Sequence, residues 1–461
     1  MPNLRLSLPL GIAAGCVAAL ALPTSVPAAA PPAPVVQAAT PRDPAALPAL
    51  LARYDQLTPG PEREALALAI DRHAGQRYAT VSRLYWYTEL DAAEAAARAS
   101  HRPILALRML GRLDEDLSCA NSRLFRSTLY ANTAVSKFLR DHFILYWSSE
   151  RPVPKVTIDY GDGRTIQGTT TGNSAHYVLD ETGAVLDVLP GLYAPAAFTA
   201  ELTKSLALAK QVAKLEAAPA RRAALSRYHR AAVTRIDQTW AAVAGAPYLP
   251  GRRTLMSQAD VDSVLATAQR ATFAKMYIEV PQLRAITAGT DPGQVSDSEL
   301  ALWAAAGQKA WNLGGPITMP AALAAAMAEG ASLGSIGIVP APSRVPAKRP
   351  AAAAPAPVLD ERSRALVARL HTAGGMTATA EQLQAVIDRL EQHIVADSAL
   401  NQFKLRRQIH AYVMSNPDQP LDHLNAWIYA AVFHTPRTDA WLGLLPRVDF
   451  TGLPGDGASM P

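Results

Sequence analysis

Arg102-Pro-Ile-Leu-Ala-Leu-Arg-Met-Leu110 opens the region that decides the fold, residues 102–202. A short apolar run after a proline predicts a strand buried on both faces. Leu113-Asp-Glu-Asp-Leu-Ser118 follows, and Cys119-Ala-Asn-Ser122 opens a stretch in which Leu124, Phe125, Leu129, Val135, Phe138 and Leu139 recur at roughly helical spacing. Phe143-Ile-Leu-Tyr-Trp147 predicts a second apolar strand. Ala175–Leu179 and Ala184–Leu189 flank Asp180-Glu-Thr-Gly183 and predict a hairpin. Pro195–Leu208 predicts a closing helix. The order is strand, cysteine-bearing helix, strand, hairpin, helix.

Between the second strand and that hairpin lies an insertion, residues 151–171. Val156–Tyr160 alternates, Gly161-Asp-Gly163 marks a turn, and Arg164–Thr171 returns as a β-branched strand. This predicts a β-hairpin near the Cys119 end or at the sheet edge.

The element order and the position of Cys119 resemble the thioredoxin superfamily, in which Cys-x-x-Cys sits at the start of the helix after the first central strand. The approach from Leu84-Tyr-Trp-Tyr-Thr88 through Arg98 to His101-Arg-Pro-Ile-Leu105 is also similar to exported thioredoxin-like proteins. The resemblance covers somewhat over a quarter of the chain. It implies an α/β thioredoxin-like domain with a central mixed sheet flanked by helices. Two departures stand out. Serine occupies position 122, where the family has its second cysteine, and Ser174 falls where the family has a cis-proline. By the same resemblance, Cys119 and Ser122 take the catalytic positions, and Asn173, Ser174 and His176 lie where the family contacts substrate backbone.

At a helix start the macrodipole favours negative charge, while Asp114, Glu115 and Asp116 just upstream oppose it. A lone thiolate can attack a disulfide and hold a mixed disulfide, but it lacks a second thiolate to resolve the adduct. The plainer alternative is a small buried side chain. Ser122 is expected to cap the helix or to bond the Cys119 sulfur. Strand alternation puts Ser174 and His176 on one face, from which His176 would tune Cys119 if that face meets the motif.

Around this region the chain is organised in blocks. Residues 1–30 have the pattern of an export signal, with Arg5, the apolar run Leu6–Leu22 and small residues after it. Ala13-Ala-Gly-Cys16 is similar to a lipoprotein box but carries alanine where leucine is preferred, which argues against a lipid anchor. Residues 31–76 combine a disordered stretch with a helical hairpin, Asp43–Leu57 and Pro61–Ala74. The thioredoxin-like domain is expected over 77–212 and a helical region over 213–335, with Ala220–Ala244 as one long helix. Ser257-Gln-Ala-Asp260 and Ser296-Asp-Ser-Glu299 match capping boxes. A Pro/Ala-rich linker spans 336–358. A C-terminal helical domain, 359–450, holds helices at 360–373, 379–396, 398–414 and 421–432. A flexible tail, 451–461, ends the chain.

The 461 residues allow two or three domains, and 49% hydrophobic with 18% charged residues suits an alanine-rich globular protein. The net charge of +5 is spread without a basic run, so no nucleic-acid partner is expected. Past the signal no apolar run of membrane length occurs. With the signal removed, Cys119 is the one cysteine of an exported, periplasmic or secreted chain, without an internal disulfide partner. No His-Glu-x-x-His or paired Cys/His spacing occurs, so neither a metal nor another cofactor is expected. Gly172-Asn-Ser-Ala-His176 lacks the last glycine and the strand–turn–helix setting of a hydrolase elbow. Tyr85, Trp86, Tyr87 and Trp147 are expected in the core.

Three functions remain open. The first is an exported thioredoxin-like protein that binds other envelope proteins without full dithiol activity. The second is a monothiol exchange or isomerase-like protein of cell redox homeostasis, using Cys119. The third is a structural envelope component docking through its C-terminal helices.

Overall fold

Strand β1 (Ile104–Leu110) is buried along its length except at Arg108, because it is central and covered on both faces. It pairs in parallel with β2 (Ile144–Arg151) and antiparallel with β5 (Ser174–Leu179), which pairs antiparallel with β6 (Val185–Pro190). The result is a mixed four-stranded sheet of order β2-β1-β5-β6, flanked by helices. The structure, a computed structural model, describes residues 42–169, 172–244, 297–314, 356–372, 379–433 and 435–436.

Helices α1 (Leu47–Gln56) and α2 (Pro61–Ala74) form the expected N-terminal hairpin. Pro61 occupies the first turn of α2, where its missing N–H costs nothing, and Gly75 ends the helix at φ 70°. Leu47, Leu51, Ile70, Ala74 and Ala79 of α3 (Ala79–Ser82) make a small core of their own. The Trp147 indole of β2 donates to the Gly75 carbonyl at 2.7 Å and ties this hairpin to the sheet. Tyr87 then runs along β2, donating to Leu145 O and accepting from Trp147 N, and covers part of the strand's outer edge. Helix α4 (Leu90–Ser100) leads into β1. Trp86 and Trp147 are buried, as expected.

After β1 the expected single helical pattern is divided. Helix α5 (Ala120–Leu124) widens into a π-helical turn, Phe125–Leu129, and a separate α6 (Thr133–His142) follows. Asn132 makes the division: its side chain accepts from Val135 N at 3.1 Å and starts α6 afresh. The insertion forms the two-stranded ribbon β3 (Lys155–Asp159) and β4 (Thr165–Thr169). Helix α7 (Pro195–Val212) closes the region and α8 (Ala218–Ala244) continues from it.

The remaining described helices are α9 (Asp297–Trp311), α10 (Glu361–Thr372), α11 (Ala380–Leu400), α12 (Arg407–Ser415) and α13 (Leu421–Trp427). One break expected at residue 397 is absent. Helix α11 passes through a π-helical turn, Asn401–Arg406, directly into α12. A third π turn, Ile428–Val432, extends α13. Sheet residues and residues of α9 to α13 share one hydrophobic core. The expected export signal, the expected linker up to residue 355, the expected tail, Ser257–Asp260 and Ser296 lie outside the described residues.

Candidate functional site

Cys119 lies at the N-cap of α5, directly beyond the end of β1. Its amide donates to Leu110 O at 3.1 Å, and its carbonyl accepts from Arg123 N at 3.2 Å. The turn between them needs Gly111, at φ 73°, where a Cβ would meet Val153 at 3.1 Å. Two buried arginines hold the loop. Arg126 donates to the carbonyls of Leu113 at 3.0 Å and Glu115 at 2.5 Å, and to Ser118 Oγ at 3.1 Å. Arg123 donates to Ser118 O at 2.7 Å, and Thr169 of β4 donates to the same carbonyl at 3.0 Å. The inserted ribbon is therefore anchored at the Cys119 end. The upstream acids are paired elsewhere, Asp114 and Glu115 with Arg112 and Asp116 with Arg77.

Ser122 neither caps the helix through its side chain nor bonds the sulfur. Its hydroxyl lies 2.7 Å from the Cys119 carbonyl and 2.6 Å from Ser118 Oγ. Asn173 immediately precedes β5, and Ser174 and His176 lie in its first residues at the same end of the sheet, with Ser174 opposite Met109 and His176 opposite Leu107. The two groups of residues singled out from the sequence thus meet at one end of the sheet, and all five are buried, with Cys119, Ser122, Ser174 and His176 at 0% exposure.

His176 sits among Phe125, Phe198 and Tyr130, with ring centroids at 4.7, 5.0 and 6.0 Å. Its Nε2 lies 2.6 Å from the Tyr130 hydroxyl. Burial pushes the imidazole down to about 3, so it is neutral near pH 7. A group that weakly basic is a poor proton acceptor for a thiol. Burial also raises the Tyr130 and Tyr429 phenols. Tyr130, Arg126 and Tyr429 are residues that sequence reasoning missed. All three stand in or beside π-helical turns, which carry no signature of spacing.

Residues 421–433 and Thr435 reach this end. The Tyr429 hydroxyl donates to Asn173 O at 3.2 Å, and Asn173 Nδ2 donates to Thr435 Oγ1 at 3.0 Å. Tyr177 donates to Asn425 Oδ1 at 2.9 Å, and Asn425 Nδ2 donates to Glu150 at 2.6 Å.

A second polar cluster lies between β6 and the C-terminal helices. Among the described residues, Asp187, His229 and His410 form the one group with atoms placed to hold an ion, their ligand atoms within 4.8 Å of one another. Neighbours already bond both Asp187 oxygens and the two histidine Nδ1 atoms, while His410 Nε2 has no hydrogen-bond partner. Asp187 Oδ2 accepts from Arg406 at 2.6 Å, Tyr228 at 2.5 Å and Ser205 at 2.5 Å, and Oδ1 accepts from Val188 N at 2.8 Å. The two histidines share a hydrogen bond, Nδ1 to Nδ1, at 2.8 Å. Arg406 also reaches Glu201 at 2.6 Å, and Lys204 reaches Glu201 at 2.6 Å. Two carboxylates face two cations. Burial pushes both histidines down, so they stay neutral and the charge balances without a metal. Burial raises Asp187, but Arg406 and its other partners override that and hold the carboxyl well below its usual range. The geometry is that of a strut between the sheet and the C-terminal helices.

Comparison with family models, curated proteins and solved structures returns no match for this chain. Among the described residues, no helix is long and apolar enough to cross a membrane.

Proposed function

We propose that this chain is an exported protein built on a thioredoxin-like sheet, that it binds other proteins of the cell envelope, and that it does not run a dithiol cycle. The strand order β2-β1-β5-β6, with β5 reversed, and Cys119 at the start of the helix after β1 support the thioredoxin-like part. One observation carries the functional part: the Cys119 thiol is wholly buried. Thiol exchange needs a thiolate that meets another sulfur in line, and a thiol sealed in the interior meets none. The hydroxyl at position 122 lies against backbone and Ser118, away from any redox role.

Partner binding falls to the open sheet edge. The outer edge of β2 is partly covered by Tyr87, and β6 packs against the π turn at 401–406. Among the described residues, β3 and β4 pair only with each other, with Tyr160 half exposed at the ribbon's tip under the Arg164 guanidinium. Unpaired edges of this kind accept an added strand from a partner.

Insulin reduction tests the reading. Wild type and Cys119→Ser are expected to be equally inactive. Reduction that depends on Cys119 would overturn it and favour the monothiol alternative.

A further inference from the structure

Helix α8 carries five arginines, Arg221, Arg222, Arg227, Arg230 and Arg235, and one acid, Asp237. Five cations less one carboxylate leave +4 on its 27 residues, against +5 for the whole chain. No basic run marks the helix, because the arginines fall at helical intervals. Folding then sorts them. Arg221 pairs with Asp180, and Arg222 with Asp418 at 2.6 Å. Asp237 is taken by Arg407 of α12, at 2.6 and 2.9 Å. Among the described residues, no carboxylate pairs with Arg227, Arg230 or Arg235.

The opposite face of α8 fixes the direction of these three. Tyr228 donates to Asp187, His229 bonds His410, and Ile236 and Trp240 enter the core. Arg227 and Arg230 lie one turn apart on the solvent side, both exposed. Arg235 is half-buried, its guanidinium 5.9 Å from the centre of the Tyr228 ring. With Ala223, Ala231 and Thr234 the three line a shallow, open depression. Like charges one turn apart on a helix repel, so this pairing does nothing for the stability of α8.

We propose that this face docks an acidic segment of a partner polypeptide, its carboxylates seated on Arg227, Arg230 and Arg235. Each cation of the helix is an arginine, whose planar fork grips a carboxylate through two parallel N–H donors. Side chains one helical turn apart are about 5–6 Å apart at Cβ. Alternate carboxylates of an extended chain, roughly 6.6 Å apart, come close to that spacing. A lipid surface fits less well. The large hydrophobic side chains exposed among the described residues are Leu68 and Tyr160, neither of them on α8, so this face has nothing to insert beneath headgroups. Nucleic acid fits less well too. Asp418 and Asp237 border the arginines at either end, which leaves a patch too short for a continuous phosphate backbone. The surface is not the β3–β4 ribbon, and it goes beyond the protein-binding reading by naming the chemistry of a second contact.

The test is fluorescence anisotropy of a labelled decaglutamate peptide titrated with the full chain at low salt, where surface charge is least screened. Binding that weakens with added salt is expected. Arg227→Gln with Arg230→Gln should weaken it about five- to thirtyfold, the loss of two surface charge pairs. Arg227→Lys with Arg230→Lys should fall in between, because the charge stays and the fork goes. Arg53→Gln with Arg98→Gln removes the same charge from two other exposed arginines and should leave binding within about twofold. Urea midpoints of the α8 variants should match wild type, since both side chains are exposed. No binding of the peptide, or equal weakening by the two glutamine pairs, overturns the proposal. So does a stronger response, dependent on Arg227 and Arg230, to phosphatidylglycerol vesicles or to a short DNA duplex than to the peptide. None of these results bears on insulin reduction, so this docking surface and the reading above can fail separately.

Discussion

Arg406 and Asp187 lie 2.6 Å apart with both side chains sealed from solvent, one on the π turn after α11 and the other on β6. The guanidinium divides its donors between Asp187 and Glu201 and so bridges two carboxylates on separate elements. Removing it leaves Asp187 buried without its cation, while Glu201 keeps Lys204. Arg406→Met is therefore expected to cost about 3–5 kcal/mol, read as a fall in the urea midpoint. Arg406→Lys should recover only part of the loss, because a single ammonium cannot reproduce the fork that reaches both acids. A loss below about 1 kcal/mol for Arg406→Met would show that the acids take up protons or water instead.

Acidification should destabilise the fold from near neutrality downward. His176, His229 and His410 all have pKa values pushed down by burial, His176 to about 3. Above roughly 6.5, the ordinary histidine value, neither the folded nor the unfolded chain holds these protons, and they contribute no slope. Below it the unfolded chain takes up protons that the folded chain refuses. Stability then falls by up to about 1.4 kcal/mol per pH unit for each histidine, for His176 down to about pH 3. Asp187 and Glu201, held low by Arg406 against the opposing effect of burial, add to the loss once the pH drops below about 4. Asp71, raised by burial, acts in the opposite direction. Urea midpoints between pH 7.5 and 4.5 measure the net slope. His176→Phe should be less steep over that range, whatever its stability at pH 7.5.

Gly191 follows β6 at φ 70°, and its amide donates to Ser174 O at 2.8 Å. A Cβ there would lie 2.5 Å from Asn401 Nδ2, whose own bond goes to Leu192 O at 2.7 Å. Gly191→Ala combines left-handed strain, about 1–2 kcal/mol, with displacement of that side chain. Asn401→Ala in the same chain should remove the clash but not the strain. The double variant is then less destabilised than the sum of the singles, which a double-mutant cycle on unfolding free energies resolves.

The sheet was legible because its strands are short apolar runs whose limits are marked locally by Pro103, by Asp180-Glu-Thr-Gly183 and by Pro195. The strands at 104–110, 144–151, 174–179 and 185–190 lie where the pattern put them, and the ribbon at 155–169 follows its Gly161-Asp-Gly163 turn. Helix continuity was harder to read. Asp397-Ser398 has the look of a helix start, yet the Ser398 hydroxyl donates to Ile394 O at 2.6 Å within its own helix and accepts from Ala194 N at 2.6 Å. A serine that finds both partners in this way need not interrupt a helix. Asn132, inside an apolar period, does interrupt one, because its side chain closes on Val135 N. The site residues were legible as positions. A buried Cys119 was one of the two readings the sequence offered; the bonds of Tyr429 and Thr435 to Asn173, and the pairing of Asp187 with Arg406 across 219 residues, were not legible. Periodicity shows that the helix at 421–427 has an apolar face; it does not show which surface that face meets.

Restoring the second sulfur separates chemistry from access. Ser122→Cys places a Cys-x-x-Cys at the start of α5 while leaving Cys119 buried. A thiol is a weak donor, so the contacts of the Ser122 hydroxyl with the Cys119 carbonyl and Ser118 Oγ are weakened, at a cost of about 1–2 kcal/mol. The missing sulfur and the missing access are independent barriers, and this substitution removes only the first. Insulin reduction by Ser122→Cys should therefore stay at the wild-type level. Reduction by Ser122→Cys above the wild-type level would mean that the burial of Cys119 does not limit access.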